Sequence, residues 1–164
     1  MLNLDAVGRK LKRYAFIVLN LEKYWNRLCS QNRAGKPVHA FVRRGVVGPK
    51  NAKLLFFYVI HPRKDIRGFA DFIERKVGDA KELWKSLGHE SLLKSYGEYQ
   101  DFLQGRKEAT FLRFRNLREL PNPVSAKIIS QVTGRERMPR MGLYLNEEMT
   151  HKLLLEGGAE IGGI

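Results

Sequence analysis

The sequence predicts an α+β fold, a small mixed β-barrel with helices packed around it. Two runs, Tyr14–Leu19 and Leu54–Ile60, are apolar without interruption, as expected for strands that are buried on both faces. A segment with helical spacing of apolar residues follows the first run, and further segments of this kind come later in the chain. Because the order of strands and helices fits neither a doubly wound parallel sheet nor a helical bundle, we expect a mixed sheet covered by helices.

The other strands are predicted from alternating apolar and polar residues between turn signals. They are expected at residues 37–47, 66–75, 108–115 and 142–145. In the strand 108–115 the alternation places Phe111, Arg113 and Arg115 on a basic, aromatic outer face. The segment Pro121-Asn122-Pro123 is expected to be a rigid connector after this strand, because proline lacks the N–H group that a ladder needs.

The helices are predicted from apolar spacing together with side chains that can cap a first turn. They are expected at residues 21–31 with Asn20 as the cap, 80–87 with Asp79, 96–103, 126–132 with Ser125, and after Asn146. Glu147 and Glu148 in the first turn of the last helix suit its dipole.

A basic turn connects two strands that we expect to pair with each other. The segment HPRKD, residues 61–65, separates the apolar run from the strand that begins at Ile66. Pro62 ends the first strand, so Arg63 and Lys64 should lie at the rim of the sheet. Gly68 in the second strand predicts a bulge, or the close approach of a ligand or another strand.

The length of 164 residues predicts one domain over the whole chain. Its core is expected at 14–155, after a basic N-terminal extension at 1–13 and before a flexible, glycine-rich tail at 156–164.

The net charge of +13 favours a polyanionic partner, with nucleic acid ahead of an anionic membrane surface. The sequence pI is about 10.1. Residues 1–75 contain 16 basic and 5 acidic residues, so this half produces most of the field. A surface rich in ion pairs would need acids in comparable number, and the first half lacks them.

Cysteine content and the N-terminus favour a cytoplasmic location. The single cysteine, Cys29, excludes an internal disulfide and is expected to be a buried apolar residue on a helix. The apolar run after the basic N-terminus has six residues, which is too short for a signal peptide core or a membrane span.

The familiar enzyme motifs are missing from the sequence, and we predict neither a metal site nor a cofactor. There is no GxSxG segment, no Walker A loop and no GxGxxG fingerprint, and the histidines have no metal-binding spacing. The sequence leaves acid–base catalysis by paired carboxylates open. Asp65, Asp71 and Glu74 are candidates by position, although a solvated or ion-paired role is favoured for them. His61 is more readily a turn residue than a site residue.

Clusters of basic residues are the most informative feature, because they are expected at strand ends, turns and loops. Arginine can contact phosphate through two donors, and rings such as Phe41, Tyr58 and Tyr144 can stack on unpaired bases. The predicted nucleic-acid-binding residues are Arg43, Arg44, Lys50, Lys53, Tyr58, Arg63, Lys64, Arg67, Arg113, Arg115, Arg135, Arg137 and Arg140. We expect them to surround one concavity.

Residues 56–75, FFYVIHPRKDIRGFADFIER, resemble the PUA-like superfamily, whose neighbours include the ASCH and EVE domains. The similar features are a strand that ends in Tyr58, Pro62 shortly after it, and IRGFA at 66–70, which matches an "I-x-G-x-A" strand. AGK at 34–36 and GLYL at 142–145 add to the likeness. It covers roughly residues 14–155 and is nearest to a group of uncharacterised archaeal proteins.

The resemblance implies a pseudobarrel of about five or six strands and an RNA-binding module whose cleft holds a modified or unpaired base. Some ASCH proteins are amidohydrolases that act on acylated nucleosides through a lysine and an acid near a GxKxxExR motif. Here Gly35 is followed directly by Lys36, and His39 stands where the acid is expected. Lys36 is thus the catalytic candidate, and with Arg43 it can line the same cleft for RNA. A structural ribonucleoprotein component is a further alternative. The sequence leaves open whether the ligand is RNA or DNA and what the oligomeric state is.

Overall fold

The computed structural model describes residues 13–159, so the expectations for residues 1–12 and 160–164 lie outside the described part of the chain. Within this range six strands and five α-helices follow one another. The strands are β1 (Ala15–Asn20), β2 (Val38–Arg44), β3 (Leu54–Val59), β4 (Asp65–Asp79), β5 (Glu108–Ser125) and β6 (Leu143–Leu145). The helices are α1 (Glu22–Arg33), α2 (Ala80–Leu87), α3 (Tyr96–Leu103), α4 (Ala126–Thr133) and α5 (Glu147–Glu156), with a 3₁₀ turn at Gly88–Glu90 after α2.

These six strands form one mixed sheet in the order β2-β5-β4-β3-β1-β6. β1 and β3 are parallel, and the other neighbouring pairs are antiparallel. The predicted pairing of β3 with β4 is confirmed, with Phe56 opposite Phe69. The α+β class and the predicted number of strands are confirmed as well.

Helices cover both faces of the sheet, which explains why β3 is apolar throughout and β1 is apolar from Ala15 to Leu19. Successive residues of a strand point to opposite faces, so a strand covered on both sides needs apolar residues at every position. On one face α1 contributes Trp25 and Leu28 to a cluster that contains Phe57. On the other face α4 and α5 pack over Phe56 and Tyr58.

A third hydrophobic cluster covers the end of the sheet where β4 ends and β5 begins. The helices α2 and α3 cover Val42 of β2 and Phe111 of β5 there. The buried hydroxyl of Tyr99 in α3 donates a hydrogen bond to the carbonyl oxygen of Ala80 at 2.6 Å, and this bond ties α3 to the start of α2.

The predicted caps are confirmed for three helices and wrong for one. The side chains of Asp79, Ser125 and Asn146 accept hydrogen bonds from the first turns of α2, α4 and α5. Asn20 was expected to cap α1, but it is the last residue of β1, and Leu21 takes the capping position without a side-chain hydrogen bond. Within residues 13–159 the helices are all too short or too polar to cross a bilayer.

The strand β5 is longer than predicted, and the expected connector at residues 121–123 lies within it. Against β4, Ile66 pairs with Val124 while Gly68 pairs with Glu119, so β5 carries extra residues at this point. The two prolines fall in this irregular stretch, where no ladder N–H is required of them. The N–H of Asn122 donates instead to the carbonyl oxygen of Gly157 after α5, at 3.0 Å.

The close approach that Gly68 predicts is confirmed. A Cβ atom at this position would lie 2.5 Å from the Cη2 atom of Trp25 and 2.9 Å from the carbonyl oxygen of Arg118. The pairing of β4 shifts register on both of its sides around this residue. Glycine is required here because the indole of α1 and the backbone of β5 occupy the space.

Cys29 is buried in α1, as predicted, with 5% of its surface exposed. Burial raises the pKa of its thiol to about 12, and nearby Glu119 acts in the same direction. The thiol is therefore protonated at neutral pH and packs as an apolar group.

Candidate functional site

A narrow cleft of about 30 Å³ opens beside Tyr58, between β3, α4 and the loop that leads to β6. We call it the Tyr58 cleft. Its lining residues are Tyr58, Ala126, Ile129, Ser130, Thr133, Arg135, Glu136, Arg137, Met138 and Leu143.

The Tyr58 cleft has an apolar floor and a polar mouth. Tyr58 is 7% exposed, and with Ile129 it belongs to the cluster between the sheet and α4. Arg135 and Arg137 are exposed in the loop after α4 and line the same cleft. This arrangement suits a flat, partly apolar group that carries negative charge at its edge.

Tyr58 is held in its protonated form. Burial raises the pKa of its hydroxyl, and the carboxylate of Asp65 adds to the effect. A phenol with a raised pKa donates a hydrogen bond at neutral pH and does not act as a base.

The predicted basic turn lies next to the cleft and is fixed to α4. The carbonyl oxygen of Lys64 accepts a hydrogen bond from the N–H of Ala126, the first residue of α4, at 3.1 Å. Lys64 has a φ of 55°, a left-handed conformation that costs a residue with a Cβ atom about 1 kcal/mol or more. The backbone of the turn is therefore held in place by α4 at the expense of local strain.

The two arginines of this region are already paired with carboxylates. Arg63 Nε lies 2.8 Å from an oxygen of Glu22 at the start of α1. Arg67 Nε lies 2.9 Å from an oxygen of Asp65. Among the cations predicted here, Lys64 makes no ion pair with any residue of the described chain, and its side chain is exposed.

The structure does not bring the other predicted cations to the Tyr58 cleft. Arg113 of β5 pairs with Glu90 and Glu74 in a partly buried cluster, and the hydrogen bond to Glu90 raises the pKa of Arg113. Arg115 is exposed on the same strand, opposite Asp71 of β4. The expected single concavity is therefore replaced by several separate basic regions.

Two predicted arginines lie at the end of β2. Arg43 is half-buried over the ring of Phe41, 5.8 Å from its centroid, and burial lowers its pKa. Arg44 Nε donates to the carbonyl oxygen of Phe102 in α3 at 2.6 Å. Arg44 thus ties α3 to β2, whereas Arg43 packs on its own strand.

The remaining predicted cations lie near the ends of β3 and β6. Lys53 Nζ lies over the ring of Tyr14, 5.4 Å from its centroid. The backbone N–H of Lys50 donates to the hydroxyl of Tyr144 at 3.3 Å. Arg140 is exposed in the loop before β6.

Of the three aromatic residues considered for stacking on bases, Tyr58 opens on the cleft. Phe41 is 8% exposed and belongs to the core beneath α1. Tyr144 packs edge-on against Phe16, with 4.9 Å between ring centroids.

Lys36 lies away from the Tyr58 cleft, in a separate surface depression close to the turn after α2. Its ammonium group donates to the carbonyl oxygen of Ser91 at 3.3 Å and to Gln31 at 3.1 Å. Burial lowers the pKa of Lys36, and the carboxylate of Glu90 opposes this shift. Glu90 is the acid near Lys36, and no local sequence signal indicated it, since it comes from the 3₁₀ turn more than fifty residues away.

His39 is a fully buried core residue of β2. It stacks on Phe114 with ring centroids 5.5 Å apart, and its Nε2 atom lies 3.3 Å from Asn32 Oδ1. Burial and the nearby ammonium of Lys36 lower its pKa to about 4. The imidazole is therefore neutral at physiological pH.

Sequence reasoning missed the polar residues that α4 contributes to the cleft. Ala126, Ile129, Ser130 and Thr133 follow the i, i+3, i+4, i+7 spacing of one helix face, and all four line the cleft. A serine and a threonine on the apolar face of a short helix were the available signal. Glu136, between the two cleft arginines, was also missed.

Comparisons with known proteins agree with this architecture, although no protein-family model matches the chain. A curated protein of Zymomonas mobilis described as an "ASCH domain-containing ribonuclease" is 28% identical over 131 residues, which cover 79% of this chain and 86% of that protein. The crystal structure of ASCH from Zymomonas mobilis superposes with a TM-score of 0.72 at 23% identity, over 87% of this chain and 95% of the other. The NMR structure of a protein of Rhodopseudomonas palustris superposes with a TM-score of 0.51 at 13% identity, over 88% of this chain and 93% of the other.

The fold is that of the Zymomonas mobilis ASCH structure, a mixed six-stranded barrel-like sheet with helices on its faces, and the predicted PUA-like fold class is confirmed. The chain has the architecture of these ASCH structures, which agrees with the fold that the resemblance in residues 56–75 implies. The relatives found are bacterial, so they give no support to the narrower likeness to an archaeal group.

Proposed function

We propose that this protein is an RNA-binding module that holds an unpaired nucleotide at the mouth of the Tyr58 cleft. The observation that carries this proposal is the combination of an apolar floor beside Tyr58 with Arg135 and Arg137 at the mouth. The likeness to a protein described as a ribonuclease supports RNA as the polyanion.

In this arrangement the base lies over the mouth of the cleft with one edge in it, and the phosphates stay outside. The floor of Ile129 and the Tyr58 ring provides apolar contact for a base, while Arg135, Arg137 and Lys64 neutralise phosphates at the mouth. The Tyr58 hydroxyl, kept protonated by burial, donates to a base carbonyl or a phosphate oxygen.

The test is the salt dependence of binding to a labelled, unstructured RNA of about 8 nucleotides, measured by fluorescence anisotropy. Replacing Arg135 and Arg137 together by alanine should weaken binding about tenfold, because two charge-assisted contacts are lost. The slope of log K against log salt should become shallower by about 1.4, at about 0.7 for each phosphate contact with a single strand.

The matched control is the double variant Arg33→Ala/Lys152→Ala, which changes the net charge equally. Neither residue lines the cleft, and each is in an ion pair elsewhere on the surface. An equal loss of affinity in both double variants would mean that the overall charge, not the cleft, binds RNA. Absence of binding by the unchanged protein at low salt would refute the RNA-binding proposal.

RNA cleavage is a second candidate, favoured by the description of the relative as a ribonuclease. In such a reaction a ribose 2′-hydroxyl attacks the adjacent phosphorus, the bond to the 5′-oxygen breaks, and a cyclic phosphate forms. Glu136 lines the cleft and can accept the 2′-hydroxyl proton, and the Tyr58 phenol can donate to the leaving oxygen.

The cleavage candidate predicts RNA fragments that end in a cyclic phosphate, detected by mass spectrometry. Tyr58→Phe and Glu136→Gln should each slow their formation while RNA binding persists. Full retention of the rate in both variants would exclude these roles.

A further inference from the structure

A second open cleft lies at the opposite end of the long β4–β5 pair. Its volume is about 300 Å³, and it is formed where β4 passes into α2 and where the loop after α3 enters β5. We call it the distal cleft and define it by Lys81, Tyr96, Gly105, Arg106 and Lys107.

The distal cleft is remote from the Tyr58 cleft. Tyr58 is opposite Ile66 at the beginning of β4, whereas Asp79 at the end of β4 is opposite Glu108, the first residue of β5. At about 3.3 Å for each residue, the strand between these points is up to about 40 Å long. One nucleotide cannot reach both clefts, but a longer strand can.

The charges of the distal cleft are available to an anion. Lys81, Arg106 and Lys107 are exposed, and none of them makes an ion pair with a residue in the range 13–159. The one carboxylate of the lining, Asp79, accepts a hydrogen bond from the N–H of Glu82 at 3.1 Å, so the start of α2 offsets part of its charge.

The backbone that carries these cations is fixed. The N–H of Ala80 donates to the carbonyl oxygen of Lys107 at 2.7 Å, and the N–H of Arg106 donates to that of Leu103 at 3.2 Å. A rigid backbone lowers the entropic cost of placing the charged side chains against a ligand.

An aromatic surface accompanies the charge. Tyr96 is 38% exposed, and its ring lies against Trp84 and Tyr99 with centroids 6.1 Å apart in each case. An exposed ring that is supported from below can stack on an unpaired base of any identity. Cations beside such a ring are the combination that single-stranded nucleic acid recognises.

We propose that the distal cleft is a second RNA contact, which holds the same strand that the Tyr58 cleft binds. This proposal rests on the proposed function, because it assigns the ligand of the first cleft to the second. Two contacts on one strand raise affinity through effective concentration, so the distal cleft matters for long RNA and not for short RNA.

The experiment compares two labelled, unstructured RNAs, of about 5 and about 25 nucleotides, in anisotropy titrations. The test variant is Arg106→Gln/Lys107→Gln, and the control with equal charge change is Arg33→Gln/Lys152→Gln. We expect the test variant to bind the long RNA about tenfold more weakly and the short RNA within about twofold of the unchanged protein. Urea midpoints of both variants establish that the fold is kept.

The comparison of variants separates the distal cleft from the proposed function. Unchanged affinity of the test variant for the long RNA would overturn the second contact and leave the Tyr58 cleft intact. An equal loss for short and long RNA, or an equal loss in the control variant, would also overturn it, since the effect would then be general. Failure of the unchanged protein to bind either RNA would refute both proposals.

Discussion

The buried imidazole of His39 should make the folded state sensitive to acid. Its side chain is 0% exposed, and burial together with the Lys36 ammonium lowers its pKa from 6.5 to about 4. Between these two values the unfolded chain binds a proton that the folded chain does not bind. The contribution of His39 to the free energy of unfolding is therefore fully present above the pKa of the unfolded chain. It is lost as the pH falls from 6.5 towards 4.

The magnitude follows from the shift. At about 1.36 kcal/mol for each pKa unit, the folded state should lose about 2 kcal/mol from this group between about pH 7 and about pH 5. Most carboxylates remain ionised in this window, so the histidine contribution can be separated from theirs.

The assay is urea unfolding at both pH values for the unchanged protein, for His39→Gln and for His89→Gln. The His39 variant cannot titrate at this position, so its free energy of unfolding should fall with acid by about 2 kcal/mol less than that of the unchanged protein. The variant at exposed His89 controls for the loss of one histidine and should keep the original pH dependence. An identical pH dependence in all three proteins would refute this account of His39.

Three further predictions concern strain, space and reactivity. Lys64→Gly should be more stable to urea than Lys64→Ala by about 1 kcal/mol, because both lose the cation but glycine adopts φ 55° without strain; equal stabilities would argue against strain. Gly68→Ala should destabilise the folded state by about 1–3 kcal/mol, because the added Cβ atom would lie 2.5 Å from Trp25. The control Gly97→Ala should be neutral or stabilising, because its Cβ atom would lie 3.7 Å from the nearest neighbour. Cys29 should react slowly with a thiol reagent in the folded protein and rapidly in urea, and a fast reaction without denaturant would contradict its burial.

The sequence was sufficient for elements whose signal is local. Caps such as Asp79 and Ser125 act within three residues, and the apolar runs of β1 and β3 report burial directly. The error at residues 121–123 has a non-local cause. Proline excluded a regular ladder there, but the sequence could not show that β5 accommodates it by extra residues opposite Gly68 and by a hydrogen bond from Asn122 to the segment after α5.

The candidate site was predictable in part for the same reason. Tyr58, Lys64 and the loop of Arg135 were identified because their positions at a strand end, a turn and a loop can be read locally. Which arginines are already neutralised cannot be read in this way. The partners of Arg63 and Arg113, Glu22 and Glu90, lie in other elements, and tertiary contacts bring them close.

The net charge of +13 overstates the number of phosphates that this protein can contact. Ion pairs inside the fold engage many cations, and beside the Tyr58 cleft they leave Lys64, Arg135 and Arg137 without a carboxylate partner in the described chain. Three phosphate contacts with a short single strand give a log–log salt slope of about −2, whereas thirteen would give about −9. A slope near the larger value for an RNA of about 15 nucleotides, which carries enough phosphates for thirteen contacts, would mean that the ion pairs open on binding. A slope much closer to −2 would mean that they persist.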